Sequence, residues 1–438
     1  MRKKGDNMKA PIKIIETIKN EIYSTNFMNT SKNNTQDFTR HRKLPFASVI
    51  LFILNSIRST LQKELTNFME LISSSDDTPK KISKSAFSQS RMKLNPGSFI
   101  HLNNILSREF YSEGDFPKWK GHRLLSIDGS TCQLPYSEQL KSHFGHVTGN
   151  HSTNFPIART SCFYDLLNNI IINSKIDSIH KGEYTLALEH FDKLKKEDLL
   201  ILDRGYGAVW LFYYLIHEGT DFVVRLQQNF IKEADDFRES DEFSKIIVIK
   251  DCRYKSKNQL AQLGIKFKSF KLRLVKVILD NGEIEILATS LIDEKEYPTQ
   301  IFKELYFMRW GIETNYDHLK NQIEIENFSG RTVLAVEQDF YASILMANFQ
   351  SLMMRDAKKD MDSEDKKRKH QYKVNRNLSF AYMKDRFIKI LLSNDPNYYD
   401  KLKELFKVEP VPVRDGRKFE RYARERHKKY FLNKRRAV

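Results

Sequence analysis

The 438-residue chain has only three cysteines, Cys132, Cys162 and Cys252, scattered without metal-ligand spacing. A disulfide-stapled scaffold is therefore not expected, and a reduced, cytoplasmic setting is. The twelve histidines form no HxH or HExxH grouping, which argues against a histidine-rich metal centre. Long hydrophobic runs are missing too. Phe46 to Leu54 is strongly apolar but too short to span a bilayer, so it is predicted to be a buried helix and no membrane partner is expected. The opening MRKKGDNMKAPIK has a basic flank with no apolar stretch behind it, so no signal peptide is expected. No internal repeat is visible.

What the chain has in excess is positive charge. Lysine and arginine total 73 against 56 acidic residues, a formal net charge of +17 and a pI near 9.4. That balance points to a polyanion partner, because each basic side chain docked on a phosphate releases condensed counterions. The charge is unevenly spread. Arg414 to Arg436 holds eleven basic and three acidic residues with Tyr422, Tyr430 and Phe431 interleaved. This tail reads either as a nucleic-acid-binding segment or as a solvated terminal helix. Lys80, Lys81, Lys84, Arg91 and Lys93 form a second patch without an intervening acid. Lys250 to Lys276 is a third, with nine basic residues and one acid, and reads as a basic strand surface.

A hydrophobic content of 40% lets the chain bury a large core and divide into two to four domains. Residues 1–115 read as a helical DNA-binding domain, with SSSDDTPKK as a linker inside it. From residue 116 the pattern turns to α/β. Strands are predicted at Leu124–Asp128, Ile157–Leu166, Asn168–Ile176 and Leu199–Asp203, with helices after the third and fourth. Between 226 and 295 the period becomes two, and Asp280-Asn281-Gly282 marks a hairpin. This is read as a β-rich insertion in a core made of 116–225 and 296–350. Residues 351–438 read as a helical, basic C-terminal region.

Two aspartates stand in matching contexts. Asp128 ends the apolar run in RLLSIDGS and Asp203 ends that in DLLILDRGY, each before a glycine-containing turn. An aspartate at the end of a buried strand is costly unless paired or bound to metal. If the strands are neighbours, their ends lie about 4.8 Å apart. Downstream, YFMRWGIETNYDHLK places Tyr306, Arg309, Glu313 and Lys320 at offsets of three, seven and fourteen residues. On one continuous helix these fall near 0°, 300°, 340° and 320°, at about 100° per residue, so they share one stripe. A phenol, a guanidinium, a carboxylate and an ammonium suit a phosphodiester beside a metal ion. Asp128, Asp203 and Glu313 together supply oxygen ligands of the kind Mg²⁺ prefers. Each residue also has a plain reading. An Asp before Gly is a common turn residue, and Arg309 neutralises Glu313 four residues away. Trp310 stands out of phase with the stripe and is expected in the core. Arg204 and Arg159 stay open between bracing and phosphate contact.

Taken together, Asp128 in IDGS, Asp203 in LDRGY and the Y-x2-R-x3-E-x6-K pattern resemble the DDE transposases of bacterial insertion sequences, in the cut-and-paste branch with a Tyr-Arg-Glu-Lys signature. RKLPF at Arg42–Phe46, SKSAFSQSRMKLNPGSF at Ser83–Phe99 and FVVRL at Phe222–Leu226 extend the likeness. The resemblance implies a ribonuclease H-like catalytic core with two Mg²⁺ ions, Mn²⁺ substituting, held by Asp128, Asp203 and Glu313. It implies that Tyr306, Arg309 and Lys320 contact DNA. Its expected partners are double-stranded element ends and target DNA, with a dimer in the synaptic complex and a nucleoid-associated setting in bacteria. Cleavage through a hairpin on the element end, followed by strand transfer, rests on the resemblance alone. Two alternatives stand beside it: a catalytically silent DNA-binding descendant, and a nuclease that cuts without joining strands.

Overall fold

The computed structural model describes residues 10–40, 42–73, 79–146, 155–364 and 370–413. The basic tail and most of the expected SSSDDTPKK linker lie outside the described residues. Among the described residues, no helix is long and apolar enough to cross a membrane. Two compact units form. One comprises Phe116–Thr131 and Arg159–Asp317; the other comprises Met1–Asp115, Cys132–Ala158 and His318–Val438.

The first unit is built on an eight-stranded sheet: β1 (Arg123–Gln133), β2 (Ile157–Asp165), β3 (Ile170–Ser178), β4 (Asp198–Leu202), β5 (Asp221–Arg225), β6 (Ser244–Ile249), β7 (Phe270–Ile278) and β8 (Ile284–Thr289). The spatial order is β3-β2-β1-β4-β5-β8-β7-β6. Every residue of β4 is buried, which is why Leu199, Leu200, Ile201 and Leu202 form an unbroken apolar run after Asp198. It runs parallel to β1 on one side and to β5 on the other. Leu124, Leu199, Ile201, Val223, Val275 and Leu287 share a core with Phe302 and Leu305 of the helix Ile301–Phe307.

The interval between β5 and that helix differs from a self-contained insertion. β5 pairs antiparallel with β8, so β8, β7 and β6 continue the same sheet. Helices Lys232–Glu239 and Tyr254–Gln262 interrupt it. The predicted hairpin joins β7 to β8, with Gly282 at φ +83° and its N–H donating to the Leu279 carbonyl at 2.9 Å. The expected basic strand surface needs correction. Lys271 is exposed, but Arg273 and Lys276 point inward. Arg273 donates to the carbonyls of Leu291 and Tyr297, and Lys276 to those of Arg238 and Ser240. Buried carbonyls need donors, and here long cationic side chains provide them.

The second unit is helical around the 32-residue helix Val333–Glu364, against which Phe46–Leu54, Gly97–Ser112 and Asn397–Lys407 pack. Arg91, read from sequence as part of a surface patch, is buried instead. It donates to Gln338, Ser329, the Ala335 carbonyl and Asp339. Lys80, Lys81 and Lys84 remain exposed.

The sheet depends on one buried ion pair. Arg123 Nε and Nη2 donate to the two carboxylate oxygens of Asp198 at 2.6 and 2.7 Å, with both residues almost without solvent contact. Removing one partner leaves an uncompensated buried charge. Arg123→Met is expected to destabilise the fold by about 3–5 kcal/mol in urea unfolding. Pairing it with Asp198→Leu should recover most of that loss.

Candidate active site

Parallel pairing of β1 with β4 sets Arg123 against Asp198, Leu124 against Leu199 and Leu125 against Leu200. Ser126 Oγ donates to the Ile201 carbonyl at 2.7 Å, keeping the same separation of 75 residues. Asp128 and Asp203 are also 75 apart, so continuing the register sets Asp128, within β1, level with Asp203, which follows the last residue of β4. On the other side Leu202 pairs with Val224, which puts Arg225 beside Asp203. The strand-end expectation agrees for Asp203, which directly follows β4, and is corrected for Asp128: β1 does not stop there but runs on through Gly129 to Gln133, so Asp128 lies within the strand.

Glu313 lies in the first turn of the helix Trp310–Asn321. That helix approaches β1 closely: Tyr316 Oη donates to the Asp128 carbonyl at 2.8 Å. Gly311 permits the approach at the helix start, since a Cβ there would meet Leu166 Cδ2 at 3.1 Å. Tyr316 was not singled out from sequence. Its position three residues beyond Glu313, on the same helical side, was the available signal.

The signature segment is not one continuous helix. Ile301–Phe307 ends, Met308 and Arg309 form a turn, and Trp310 begins the next helix. Arg309 N–H donates to the Tyr306 carbonyl, Gly311 N–H to Met308 and Ile312 N–H to Arg309, all three residues back. This tighter winding breaks the single stripe drawn from a uniform 100° step. Tyr306 and Arg309 are both buried, at 7% exposure each. Trp310, expected in the core, is 38% exposed, with the Arg309 guanidinium 5.3 Å from its ring centroid. Lys320 is half-buried on the same helix as Glu313 and clusters with the helical unit. Arg204 is exposed in the turn after Asp203, while Arg159 donates to Glu183 and the Ile179 carbonyl.

The electrostatics link the residues of the sheet unit. Burial, above all, pushes the Asp128 carboxyl up to about 6. The Gly129 N–H and the Arg309 charge oppose the rise, while Glu313 and Asp203 add to it. Burial works against the Arg309 charge, yet the bond to Glu313 and the fields of Tyr306 and Asp203 hold its pKa above the ordinary value. Arg309 Nη2 donates to Glu313 Oε1 at 2.7 Å. Burial pushes the Tyr306 phenol well up, with Asp203 and Glu285 adding to the effect of burial. Glu285, buried and paired with Arg225 at 2.6 Å, is a second contributor that sequence reading passed over. Arg225 in FVVRL was its trace in the sequence.

The donor set matches a hard divalent cation in chemistry: carboxylate oxygens, mutually repelling, next to buried polar atoms without partners. Among the described residues, Tyr206 Oη, Tyr306 Oη and Arg309 Nε lack a hydrogen-bond partner. The carboxylates do not converge as placed. Among the described residues, no group of three His, Cys, Asp or Glu side chains is arranged to hold a metal ion. Glu313 instead turns one oxygen to Arg309.

Residues 119–349 match the protein family described as Transposase DDE domain. The chain is 21% identical over 279 residues to transposase InsG for insertion sequence element IS4 of Escherichia coli (strain K12). That match covers 62% of this chain and 61% of the relative, so the chain spans about three fifths of the relative's length. A solved structure, the piggyBac transposase synaptic complex with hairpin DNA, aligns at 12% identity and a TM-score of 0.43. It covers 92% of this chain and 82% of that one.

The raised Asp128 carboxyl has a testable consequence. A carboxyl whose folded pKa lies near 6 against an ordinary 3.8 binds more protons folded than unfolded across that window. Stability is therefore lost as pH rises from about 4 through 6 and levels off above. Urea unfolding in chelator is expected to show that Asp128→Asn removes about 2–3 kcal/mol of this loss. Parallel pH profiles for the two proteins would contradict the assignment.

Proposed function

Because the chain belongs to the family of transposases with a DDE domain, we propose that it is an insertion-sequence transposase. In this reading it binds the ends of its element, cleaves the DNA by metal-dependent phosphoryl transfer and joins the freed 3′-hydroxyls to target DNA. The observation that supports the reading is the common 75-residue offset of β1 and β4, which sets Asp128 and Asp203 level on adjacent strands, with the Glu313 helix packed on β1 through Tyr316.

Asp128, Asp203 and Glu313 would hold Mg²⁺, or Mn²⁺ in its place. A divalent cation pair at such carboxylates activates the attacking oxygen and stabilises the leaving one. The residues around them do the rest. Arg309, buried and positive, is released from Glu313 to neutralise a phosphate, and the unpartnered Tyr306 hydroxyl donates to a phosphate oxygen. Lys320 engages the backbone of the end as a point charge. Tyr316 holds the β1 backbone at Asp128 in place throughout. The ribonuclease H-like character of the core belongs to this reading, as does synapsis of two ends by two copies of the chain.

A groove in the helical unit supports end recognition there. Its volume is about 870 Å³ and its lining includes Arg40, Arg42 and Lys93. A second cleft of about 720 Å³ shares Arg42 and Lys93 and adds Lys43 and Lys81. Basic residues lining a concave surface suit a phosphate backbone.

The test is incubation of the protein with Mg²⁺, a target plasmid and DNA carrying the sequences that flank its own gene. Cleaved and joined products are expected. Cleavage without joining identifies a nuclease, and binding without cleavage identifies a silent descendant. Glu313→Ala is expected to abolish cleavage while end binding stays within a few-fold in gel-shift titration. Lys320→Ala should weaken binding across sequences and lower the salt slope by about 1.

A further inference from the structure

The stretch that joins β6 to β7 concentrates positive charge. Residues 250–271 hold seven basic side chains and a single acid, Asp251. All seven are exposed. Lys257 is paired with Asp251 at 2.7 Å. Among the described residues, Lys250, Arg253, Lys255, Lys266, Lys268 and Lys271 have no acidic partner. Cations elsewhere in this unit are spent within the fold: Arg123 on Asp198, Lys303 on Asp280, and Arg273 and Lys276 on carbonyls.

The fold holds the unpaired charges in place. The helix Tyr254–Gln262 packs on the helix Val209–Glu218, with Leu260 buried. After it, Ile265 and Phe270 are buried and Phe267 half-buried, while Lys266, Lys268 and Lys271 between them face solvent. Tyr213 pins this segment. Its hydroxyl donates to the Lys266 carbonyl at 3.2 Å, and its ring lies 5.1 Å from Phe267 and 5.6 Å from Phe270. Strand register gives the position. Ile201, Val223, Thr289 and Arg273 pair in turn across the sheet. Phe270, three residues before Arg273, pairs with Ile249, so both stand level with the Arg123–Asp198 pair. From there to Asp203 is roughly 17 Å along the strands and roughly 19 Å across them, on the order of 25 Å in all. Residues 250–269 thus leave the sheet at the end away from the candidate active site.

We propose that residues 250–271 form a second DNA surface, which holds a duplex of any sequence by its backbone. A phosphate bound here is too far from Asp203 to be the one under attack. Lysines are point charges with mobile donors, which grip phosphates without reading base edges. Tyr254, 78% exposed within the cluster, adds a hydroxyl that donates to a phosphate oxygen. Crowded cations repel one another, and docking on a polyanion relieves that repulsion and releases counterions. The choice of DNA as the polyanion rests on the transposase reading. The surface itself needs no metal ligand.

Binding of the full chain to a random-sequence duplex of about 20 base pairs is measured by fluorescence anisotropy, in chelator, from about 50 to 200 mM salt. One variant combines Lys255→Ala, Lys266→Ala and Lys268→Ala. A control combines Lys181→Ala, Lys303→Ala and Lys358→Ala, three lysines that each have a carboxylate partner and remove the same net charge. The first variant is expected to bind at least about tenfold more weakly and to lower the salt slope by about 2–3, while the control stays within about twofold. In the wild type, bound duplex should also protect Lys255, Lys266 and Lys268 from acetylation, a readout independent of any variant's folding. Equal losses in both variants, or no protection, overturn the surface. A greater loss for duplex RNA than for duplex DNA overturns the choice of partner. Each of these results leaves the cleavage and joining assay, and so the transposase reading, to be decided separately.

Discussion

Arg123 and Asp198 meet out of water where β1 and β4 pair, and the arrangement of the candidate site follows from that contact. A parallel pair has no hairpin to set its register, so side chains must choose it. A one-residue slip would part the guanidinium from its carboxylate and leave both charges buried. The same slip would turn Asp128 to the opposite face from Asp203. A bond at the start of the two strands thus determines that Asp128 and Asp203 stand level further along them. Ser126, bridging to the Ile201 carbonyl midway, holds the spacing between the two ends.

Repulsion among the carboxylates is the second constraint. Burial already disfavours ionised Asp128, and its acidic neighbours deepen the penalty. Arg309 is the counterweight. It is enclosed by the Tyr306 and Trp310 rings, 5.9 and 5.3 Å from their centroids, and bonded to Glu313. The turn at Met308–Arg309 brings it inward, where a straight helix would have carried it elsewhere. The break in the helix is therefore part of the charge balance of the site.

The legible parts of the sequence were those with a local cause. β4 declared itself by an apolar run, the β7–β8 hairpin by Asn281-Gly282, and the two aspartates by their position after such runs. The illegible parts depended on distant partners. Nothing local to Arg91, Arg273 or Lys276 reveals that each is consumed by buried acceptors; a basic residue reads as surface until its neighbours are known. The kink at Arg309 was hidden because every residue from Tyr306 to Lys320 tolerates a helix. Tyr316 and Glu285 were missed because their roles exist only across elements: one bonds to a strand far upstream, the other pairs with an arginine on β5.

β5 takes its pairing on one flank from β4 and on the other from β8, a strand drawn from the stretch that separates Asp203 from Glu313. That stretch is consequently structural cladding as well as spacer. Without it, the amides and carbonyls of Val223 to Arg225 would form a bare margin open to strands of other molecules. Changes of length between the second and third acidic residues are thereby steered into the loops around β6 and the two short helices. Descendants of this fold can lengthen there freely, but they cannot shed the pairing that seals the middle of the sheet.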